Sequence, residues 1–297
     1  MEDCLDNHHS IFWKIAFHII RRIGSDESFA RFLFKSIFHR ELNLDQPLTF
    51  NEKIQWLKLY DRKPFYSILA DKYAVREYVS KHVGEIYLNE LIGVYTNVED
   101  IPIASLPNEF VLKVTNGSGW NIICPDKGLL AWNSSKATLK KWLCSDYYRL
   151  GREWAYKNIV PKIICEKFLR DEQGEMPKDF KFFCFNGTPL FIQVDLDRFE
   201  NHSRLFYDPI WKKMPFEVHY PSHKDDMRKP ERLEEMLFVA SSLSKGIPFC
   251  RVDLYSLPEI IFGEITLYPG NGSEKFRPEE FDTHWGKYIS LPDKFAN

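Results

Sequence analysis

Residues 247–272 read IPFCRVDLYSLPEIIFGEITLYPGNG, and this stretch predicts a β-hairpin. Two apolar, β-branched runs flank the turn signal Leu257-Pro258-Glu259. Each run carries one carboxylate, Asp253 in the first and Glu264 in the second. If the turn is an even-length loop centred between Pro258 and Glu259, the two acids face each other across the ladder, with their Cβ atoms about 5 Å apart.

Two carboxylates in this position repel each other, and on a face that excludes water they require a cation between them. Proteins commonly hold Mg²⁺ with one or two carboxylates and leave the other ligand positions to water and phosphate. The pattern therefore favours a magnesium site on the hairpin. An ordinary hairpin with both acids on its solvent face fits the same pattern equally well.

The composition excludes several classes of protein. The chain has 297 residues, of which 44% are hydrophobic, enough for roughly two domains or lobes. Its formal net charge of −2 provides no overall field for nucleic acid, so we expect no nucleic-acid partner. The six cysteines form no CxxC pair, which is typical of free thiols in a reducing compartment. No apolar run approaches the length of about 18 residues that a membrane span needs, and we expect a cytoplasmic protein without a secretory signal.

Residues 8–41 predict two helices, with Gly24 ending the first and Ser25 capping the second. The segment is rich in aromatic residues, and its six Lys and Arg residues against three acids give it a charge of +3. A basic amphipathic segment can lie on an anionic membrane surface, which would place the protein peripherally at the inner face of the membrane. Packing against the body of the protein or a second subunit is the favoured interpretation.

The first half of the chain also contains a possible phosphate-binding loop. A capping box at residues 49–52 opens a helical region that ends at Gly84 and includes Asp71-Lys72. Short strands follow, and the strand over residues 109–115 has Lys113 near its end. The loop Asn116-Gly117-Ser118-Gly119-Trp120-Asn121 then leads into a second strand. Its backbone N–H groups could surround a phosphate, with the lysine as a point charge, although a plain glycine-rich hairpin turn is equally consistent.

Two features of the second half are less specific. Asn186-Gly187 predicts a tight hairpin between two strands. Asp195-Leu196-Asp197 resembles the acid-x-acid element of glycosyltransferases that use nucleotide sugars, although a strand that ends in two acids is common. The polar residues 200–230 predict a long loop or lid.

In this order, the motifs resemble the ATP-grasp superfamily, and in particular the TupA-like amidoligase family, which is found with capsule and teichuronopeptide synthesis genes. The resemblance covers roughly residues 47–292. It implies an α+β, ATP-grasp fold in which two α+β lobes clasp ATP, preceded by an N-terminal helical segment. The expected divisions are an N-terminal helical segment (1–46), the helical start of the grasp unit (47–90), a first lobe with the phosphate flap (91–165) and a second lobe with the magnesium site (166–297).

The resemblance also implies a role for individual residues. It assigns Lys72, Lys113 and the flap residues Gly117, Ser118 and Gly119 to phosphates, Glu166, Lys167, Phe168 and Leu169 to the nucleoside, Asp253, Glu264 and Thr266 to Mg²⁺, and Lys181, Arg198 and Arg251 to the transition state or the acceptor carboxylate. For each arginine, a surface ion pair is an equally good interpretation.

The metal motif departs from the family pattern at one position. Arg251-Val-Asp253 and Glu264-Ile-Thr266-Leu-Tyr-Pro-Gly resemble the RxD and E-I-N-T-x-P-G elements of enzymes like D-alanine ligase, whose acids hold magnesium. Those enzymes have a third ligand, asparagine, where this chain has Thr266. A hydroxyl is a poorer ligand than an amide oxygen, so the number of Mg²⁺ ions stays open between one and two, with Asn271 as an alternative ligand.

The activity that the resemblance implies is ATP- and Mg²⁺-dependent joining of a carboxylate to an amine through an acyl phosphate. Such chemistry needs positioning and charge neutralisation rather than a protein nucleophile. By analogy with the family, the carboxylate belongs to a uronic acid of a polysaccharide or its precursor, and the amine is an amino acid or another amine. Fold does not fix substrate, and three alternatives stay open: a glycosyltransferase that uses Asp195 and Asp197, a sugar kinase, and a binding module without turnover.

From the sequence we predict that Asp253→Asn and Glu264→Gln each abolish ATP turnover and leave the fold intact. Each substitution removes charge from the expected magnesium site and preserves the shape of the side chain. The measurement is ADP release at saturating Mg²⁺, and full activity of either variant would contradict the metal assignment.

Overall fold

The computed structural model describes residues 11–196 and 202–294. Asp197 and Arg198, both of which carried a sequence prediction, lie outside the described residues. Within the described ranges the helices are α1 (Ile11–Ile23), α2 (Asp26–Phe38), α3 (Phe50–Tyr60), α4 (Phe65–Ala70), α5 (Val75–Val83), α6 (Trp132–Leu143), α7 (Tyr148–Gly151), α8 (Leu233–Ser244) and α9 (Glu280–Gly286). The strands are β1 (Leu91–Tyr95), β2 (Phe110–Val114), β3 (Asn121–Cys124), β4 (Ile163–Lys167), β5 (Asp179–Phe185), β6 (Thr188–Leu196), β7 (Ser203–Tyr207), β8 (Glu217–Val218), β9 (Phe249–Ser256), β10 (Ile260–Thr266) and β11 (Phe276–Arg277).

Most of the strands belong to two antiparallel sheets. The first sheet has the order β1-β4-β2-β3, and the second has the order β10-β9-β5-β6-β7. β8 and β11 form a separate short pair. β4 continues through Lys167, so that Glu166 and Lys167 are strand residues rather than residues of a connecting loop.

Each sheet has its own hydrophobic core. Below the first sheet, Leu139 of α6 packs with Phe110, Leu112 and Val114 of β2. The core of the second sheet includes Met236 and its neighbours on α8, together with residues of α3, α4 and α5. This core covers one face of the second sheet. The opposite face carries charged side chains and, with the first sheet, lines a cavity between the two sheets.

The predicted pairing of Asp253 with Glu264 is confirmed, but the predicted turn was wrong. Ile260 pairs with Ser256, which leaves a three-residue loop instead of an even-length one. A β-bulge at Gly263 then shifts the register by one residue and brings Glu264 opposite Asp253. A Cβ at Gly263 would lie 3.0 Å from the backbone oxygen of Asp253, so the bulge favours glycine.

The Asp71-Lys72 pair lies in a turn rather than in one continuous helix. α4 ends at Ala70 and α5 begins at Val75. The Asp71 carboxylate accepts hydrogen bonds from the backbone N–H groups of Tyr73, at 2.8 Å, and Ala74, at 3.2 Å. This local bonding competes with the helix and ends it there. The turn directs Lys72 towards the loop between β2 and β3.

Residues 202–230 are not the unstructured lid that their polar composition predicted. β7 extends the second sheet by pairing with β6, and β8 pairs with β11. Pattern analysis missed these strands because they are short and are separated by prolines. The Asn186-Gly187 hairpin and the capping box at Thr49 are both confirmed.

The second of the two N-terminal helices packs against the body of the protein, as the favoured interpretation predicted. Phe34 and Ala30 of α2 are fully buried in the core of the second sheet. Asp26 at the start of α2 accepts hydrogen bonds from Arg62, at 2.6 Å, and Arg152, at 3.1 Å. Burial raises the pKa of Asp26, but hydrogen bonds from Tyr148 and Arg62 and the nearby arginine charges lower it more, so the pKa is below its usual value. Within the described ranges, no helix has the length and apolar character that a bilayer span requires.

The five cysteines that the structure describes are all unpaired. Four of them are buried and Cys144 is exposed. This agrees with the predicted free thiols, and Cys4 lies outside the described residues.

Asn51 connects the start of α3 with the C-terminal part of the chain. Its side chain is fully buried and donates to the backbone oxygen of Glu274 at 2.7 Å and to Asp282 at 2.9 Å. Its own oxygen accepts from the Glu274 N–H at 2.7 Å. These three bonds fix the segment after β10, which lines the second cavity described below.

We predict that Asn51→Ala lowers the free energy of unfolding by about 3 kcal/mol, because it leaves buried backbone groups of Glu274 unpaired. Urea denaturation would measure the change. Asn133→Ala, at an exposed position of α6, is the matched control and should shift stability by less than about 0.5 kcal/mol. Equal midpoints for the two variants would contradict the proposed anchoring role of Asn51.

Candidate functional site

A row of alternating charges crosses the face of the second sheet that lies opposite its hydrophobic core. Lys181 Nζ donates to Asp179 at 2.6 Å and to Asp253 at 2.9 Å. Arg251 Nε and Nη2 donate to the two oxygens of Asp253 at 2.7 and 2.6 Å. Arg251 Nη2 also lies 3.4 Å from Glu264 Oε1. The side chains share one face for two reasons. Lys181 and Glu264 lie directly opposite Asp253 on the neighbouring strands. Asp179 and Arg251 lie two residues from Lys181 and Asp253 on the same strands, and residues two apart in a strand point the same way.

Glu264 is held in its charged form by surrounding cations. Burial raises its pKa, but the charges of Lys72, Arg251 and Lys181 and a hydrogen bond from Thr266 lower it more, so the pKa is below the usual glutamate value. The side chain is about one-third exposed (33%). Lys72, in turn, has a pKa lowered by burial. The site is therefore a region of densely packed, mutually compensating charge between the two lobes.

A second cluster of charges joins β2 to β4 in the first sheet. Lys113 Nζ lies 2.6 Å from one carboxylate oxygen of Glu166, and Arg76 donates to the other at 2.9 Å. Arg76 also donates to the backbone oxygen of Asn89 at 2.7 Å. Glu166 is only 6% exposed, and both of its oxygens are engaged. The cluster therefore fixes Lys113 at the floor of the cleft.

The first cavity lies between the two sheets and has a volume of about 510 Å³. Lys113 contributes to its wall from the first sheet, and Asp179 and Tyr255 contribute from the second. The end of β4 and the two residues after it supply Lys167, Phe168 and Leu169. The structure thus brings together three of the four residues that the sequence assigned to the nucleoside. Glu166, the fourth, does not line the cavity, because its carboxylate is directed to Lys113 and Arg76.

The loop between β2 and β3 separates the first cavity from a second one. Lys72 Nζ donates to the Gly117 backbone oxygen and so holds the loop from below. Trp120 folds under the loop and stacks on Trp142, with ring centroids 6.0 Å apart. A Cβ at Gly117 would lie 2.5 Å from the Trp120 ring, so this position requires glycine. Ser118, at the tip of the loop, lines the second cavity.

The second cavity has a volume of about 530 Å³ and lies on the other side of the charged row. Arg251, Glu264 and Thr266 form the wall that it shares with the row. Its other walls come from three separate parts of the chain: α2, the segment around α7, and the residues after β10. They contribute Leu33, Ser36, Ile37, Tyr147, Glu153, Tyr156, Tyr268, Gly270, Asn271, Ser273 and Lys275, with His219 and Ser118 completing the wall.

The oxygen donors at the row fit Mg²⁺, with Glu264 the better placed of the two carboxylates. Its contacts with Arg251 and Thr266 both use Oε1. Asp253 Oδ2 accepts from both Arg251 and Lys181, whereas Oδ1 accepts only from Arg251, so Oδ1 keeps a lone pair for a metal. Two carboxylates completed by water and phosphate suit this ion. No group of three or more His, Cys, Asp or Glu side chains that could hold a metal occurs within residues 11–196 and 202–294.

Asn271 does not fit the role of substitute ligand that the sequence allowed. Its side-chain oxygen accepts a hydrogen bond at 2.7 Å from Lys58, which is fully buried. The third oxygen near the two acids is the Thr266 hydroxyl, which donates to Glu264 Oε1 at 3.2 Å and accepts from Arg251 Nη2 at 3.1 Å.

Two further sequence assignments change in the structure. Lys181 was assigned to the transition state, but it is 6% exposed and lies between Asp179 and Asp253, so it positions Asp253 rather than facing either cavity. Asp195 accepts from Arg204 at 2.6 Å and lies 3.3 Å from His202. The acid that the glycosyltransferase alternative would use for a metal is therefore paired with an arginine.

Sequence analysis missed Arg76 and Glu153. Arg76 lies on an ordinary amphipathic helix. Only its contact with Glu166, in a strand 90 residues later, sets it apart from other helix residues, and a local sequence pattern does not show that contact. Glu153 lies in a polar, aromatic stretch and would read as a solvent-exposed acid. It is 8% exposed and lines the second cavity.

Two antiparallel sheets that hold a charged cleft between them are the architecture that the sequence predicted for an ATP-grasp fold. A family model described as TupA-like ATPgrasp matches residues 52–290, which are 239 of the 297 residues. The chain therefore belongs to the TupA-like ATP-grasp family. The predicted family and the predicted α+β, ATP-grasp fold are both confirmed.

Solved structures of ligases resemble parts of the chain at low identity. D-alanine–D-alanine ligase from Bacillus anthracis is 15% identical, with a TM-score of 0.39 over 67% of this chain and 57% of that chain. ATP-grasp ligase PsnB, complexed with a phosphomimetic variant of its minimal precursor, Mg and ADP, is 10% identical, with a TM-score of 0.43 over 93% and 70%. D-cycloserine synthetase DcsG is 16% identical, with a TM-score of 0.40 over 76% and 72%. The chain spans little more than half of the Bacillus anthracis ligase, and no curated protein matches it.

The contacts of the two acids revise the expectation that both amide variants keep full stability. We predict that Asp253→Asn loses about 3 kcal/mol of unfolding free energy, because it leaves Arg251 and Lys181 buried without their shared partner. Glu264→Gln, at a partly exposed position, serves as the matched control and should change stability by less than about 1 kcal/mol. Urea denaturation of both variants measures this. If Asp253→Asn lost less unfolding free energy than Glu264→Gln, Asp253 would not be the residue that holds the row together.

Proposed function

We propose that this protein is an ATP- and Mg²⁺-dependent ligase that joins a carboxylate to an amine through an acyl phosphate. The observation that supports it most directly is the charged row from Asp179 to Glu264, with one cavity on each side. A phosphoryl group that moves between two substrates needs cations and acids at the boundary of their sites. The family match supports the same class of reaction.

The first cavity would take the nucleotide. Lys167, Phe168 and Leu169 line it at the segment between the lobes and would contact the nucleoside. Lys113 lies on its floor, and its ion pair with Glu166 holds the ammonium group in place for a phosphate. Lys72 holds the Gly117–Gly119 loop, whose backbone N–H groups would contact the terminal phosphates. Glu166 would act by positioning Lys113 rather than by contacting the ribose.

Asp253 and Glu264 would hold Mg²⁺, which when bound neutralises phosphate charge and orients the terminal phosphate. Thr266 would contribute through its hydrogen bond to Glu264. Lys181 would hold the Asp253 carboxylate in place through their 2.9 Å contact. The chain's own contribution to the chemistry is therefore positioning and charge, and no side-chain nucleophile is needed.

The second cavity would take the carboxylate and the amine. Arg251 faces this cavity, and a guanidinium group is well suited to bind a carboxylate and align it with the terminal phosphate. The carboxylate oxygen would attack that phosphate, and the amine would then displace phosphate from the acyl carbon. By family analogy, the carboxylate belongs to a uronic acid of a polysaccharide or its precursor, and the amine to an amino acid, with the reaction in the cytoplasm.

Isotope labelling tests the reaction class. Glucuronic acid labelled with ¹⁸O in its carboxylate is incubated with ATP, Mg²⁺ and a mixture of the common L-amino acids. We expect labelled inorganic phosphate to form in step with ADP and amide, because one carboxylate oxygen leaves with the phosphate. A sugar kinase would form ADP without free phosphate, a glycosyltransferase would form no ADP, and adenylation would place the label in AMP.

A thermal-shift series with ATP, Mg²⁺ and UDP-glucuronic acid provides the control for this experiment. A ligand that binds the native state raises the melting temperature. Stabilisation by the UDP-sugar, with no effect of ATP, would contradict a ligase and favour the glycosyltransferase.

A further inference from the structure

The second cavity contains buried polar groups that no described residue satisfies. Glu153 is 8% exposed, lines the cavity, and receives no hydrogen bond or ion pair to its carboxylate from a described residue. The Tyr268 hydroxyl and the Ser273 hydroxyl are also buried and lack a hydrogen-bond partner among the described residues. Native proteins leave few buried polar atoms unpaired. Two of them in the wall of one cavity, beside an acid that has no cationic partner among the described residues, indicate a polar ligand.

Three tyrosines line the second cavity together with Glu153. Tyr147 and Tyr156 meet edge to face, with ring centroids 4.7 Å apart. In Tyr147, Tyr156 and Tyr268, burial raises the pKa most, and the charge of Glu153 is the next cause. All three hydroxyl groups thus lie within the electrostatic reach of one carboxylate. Aromatic side chains around an acid are a common way to bind an ammonium group.

Lys58, whose charge acts on Glu153, does not serve this role. Lys58 is fully buried, and its ammonium group donates to Asn271 at 2.7 Å and to the Gly151 backbone oxygen at 3.2 Å. It forms no ion pair with Glu153. Its charge lowers the pKa of Glu153, but burial and the charge of Glu264 raise it more, so the pKa lies above the usual glutamate value. Glu153 is therefore available to bind a cation and to take up a proton near neutral pH.

We propose that Glu153 binds the ammonium group of the amine co-substrate in the second cavity and accepts its proton. This inference rests on the proposed ligase function and assigns one residue to its second step. Tyr268 and Ser273 would hydrogen-bond to the polar groups of the same co-substrate. Arg251, on the wall shared with the charged row, would hold the carboxylate that becomes the acyl phosphate.

The reaction of the amine releases two protons from nitrogen and exchanges one bond at the acyl carbon. One proton passes from the ammonium group to Glu153, and the free amine attacks the acyl carbon. The C–N bond forms as the bond between the carbon and the phosphate oxygen breaks. The second proton lost from nitrogen leaves with inorganic phosphate, and Glu153 returns its proton to water.

The test compares two nucleophiles on Glu153→Gln. Hydroxylamine is uncharged near neutral pH, so it should trap the acyl phosphate of glucuronic acid as a hydroxamate without help from Glu153. We expect the variant to keep the wild-type rate of hydroxamate formation. Amide formation with the common L-amino acids should lose at least about 100-fold in kcat/KM. Glu172→Gln, at an exposed position, is the matched control and should keep both rates.

Two further measurements separate this inference from the proposed function. In saturation-transfer NMR, the amino acid mixture should give signals with the wild type and none with Glu153→Gln, whether or not ATP is turned over. Glu153→Asp should restore part of the amide formation, since it keeps the charge. Wild-type amide formation in Glu153→Gln, or an equal loss with both nucleophiles, would overturn the role of Glu153. A different result would overturn the ligase assignment instead. In that case the wild type would form no hydroxamate, but the amino acid mixture would still give NMR signals that depend on Glu153.

Discussion

The bidentate contact between Arg251 and Asp253 is the interaction on which the site depends. It lies on β9, between β10 and β5 of the second sheet, where the opposite face is closed by a hydrophobic core. The Asp253 carboxylate is only 3% exposed, and a buried charge without a partner is strongly destabilising. Arg251 and Lys181 compensate its charge from two sides, and Arg251 also reaches Glu264 at 3.4 Å. The sheet can therefore present acids to a cleft without losing its register.

The same row lies between the two cavities and has a charged residue in the wall of each. Asp179 lines the first cavity and Arg251 lines the second, while Lys181 and Asp253 connect them from within the sheet. Occupation of one cavity by an anion changes the field at the other through a chain of contacts below 3 Å. Rigid strands suit this arrangement, since they keep donors in place before a ligand arrives.

Local patterns predicted more of the fold than of the site. The hairpin acids, the capping box at Thr49 and the Asn186-Gly187 turn depend on residues close in sequence, and each was found where predicted. The bulge at Gly263 was not predictable, because a glycine in a strand does not specify which register shift it permits. Glu153 was not predicted for a similar reason. Its burial depends on elements distant in the chain, and the spacing of residues in the sequence does not show that burial.

Helix α2 gives the second cavity a wall that originates outside the family-matched region. Leu33, Ser36 and Ile37 line that cavity, whereas the match begins at residue 52. The first cavity, by contrast, is lined wholly by residues within the match. Changes in α2 would therefore reshape the second cavity and leave every residue in the wall of the first cavity in place.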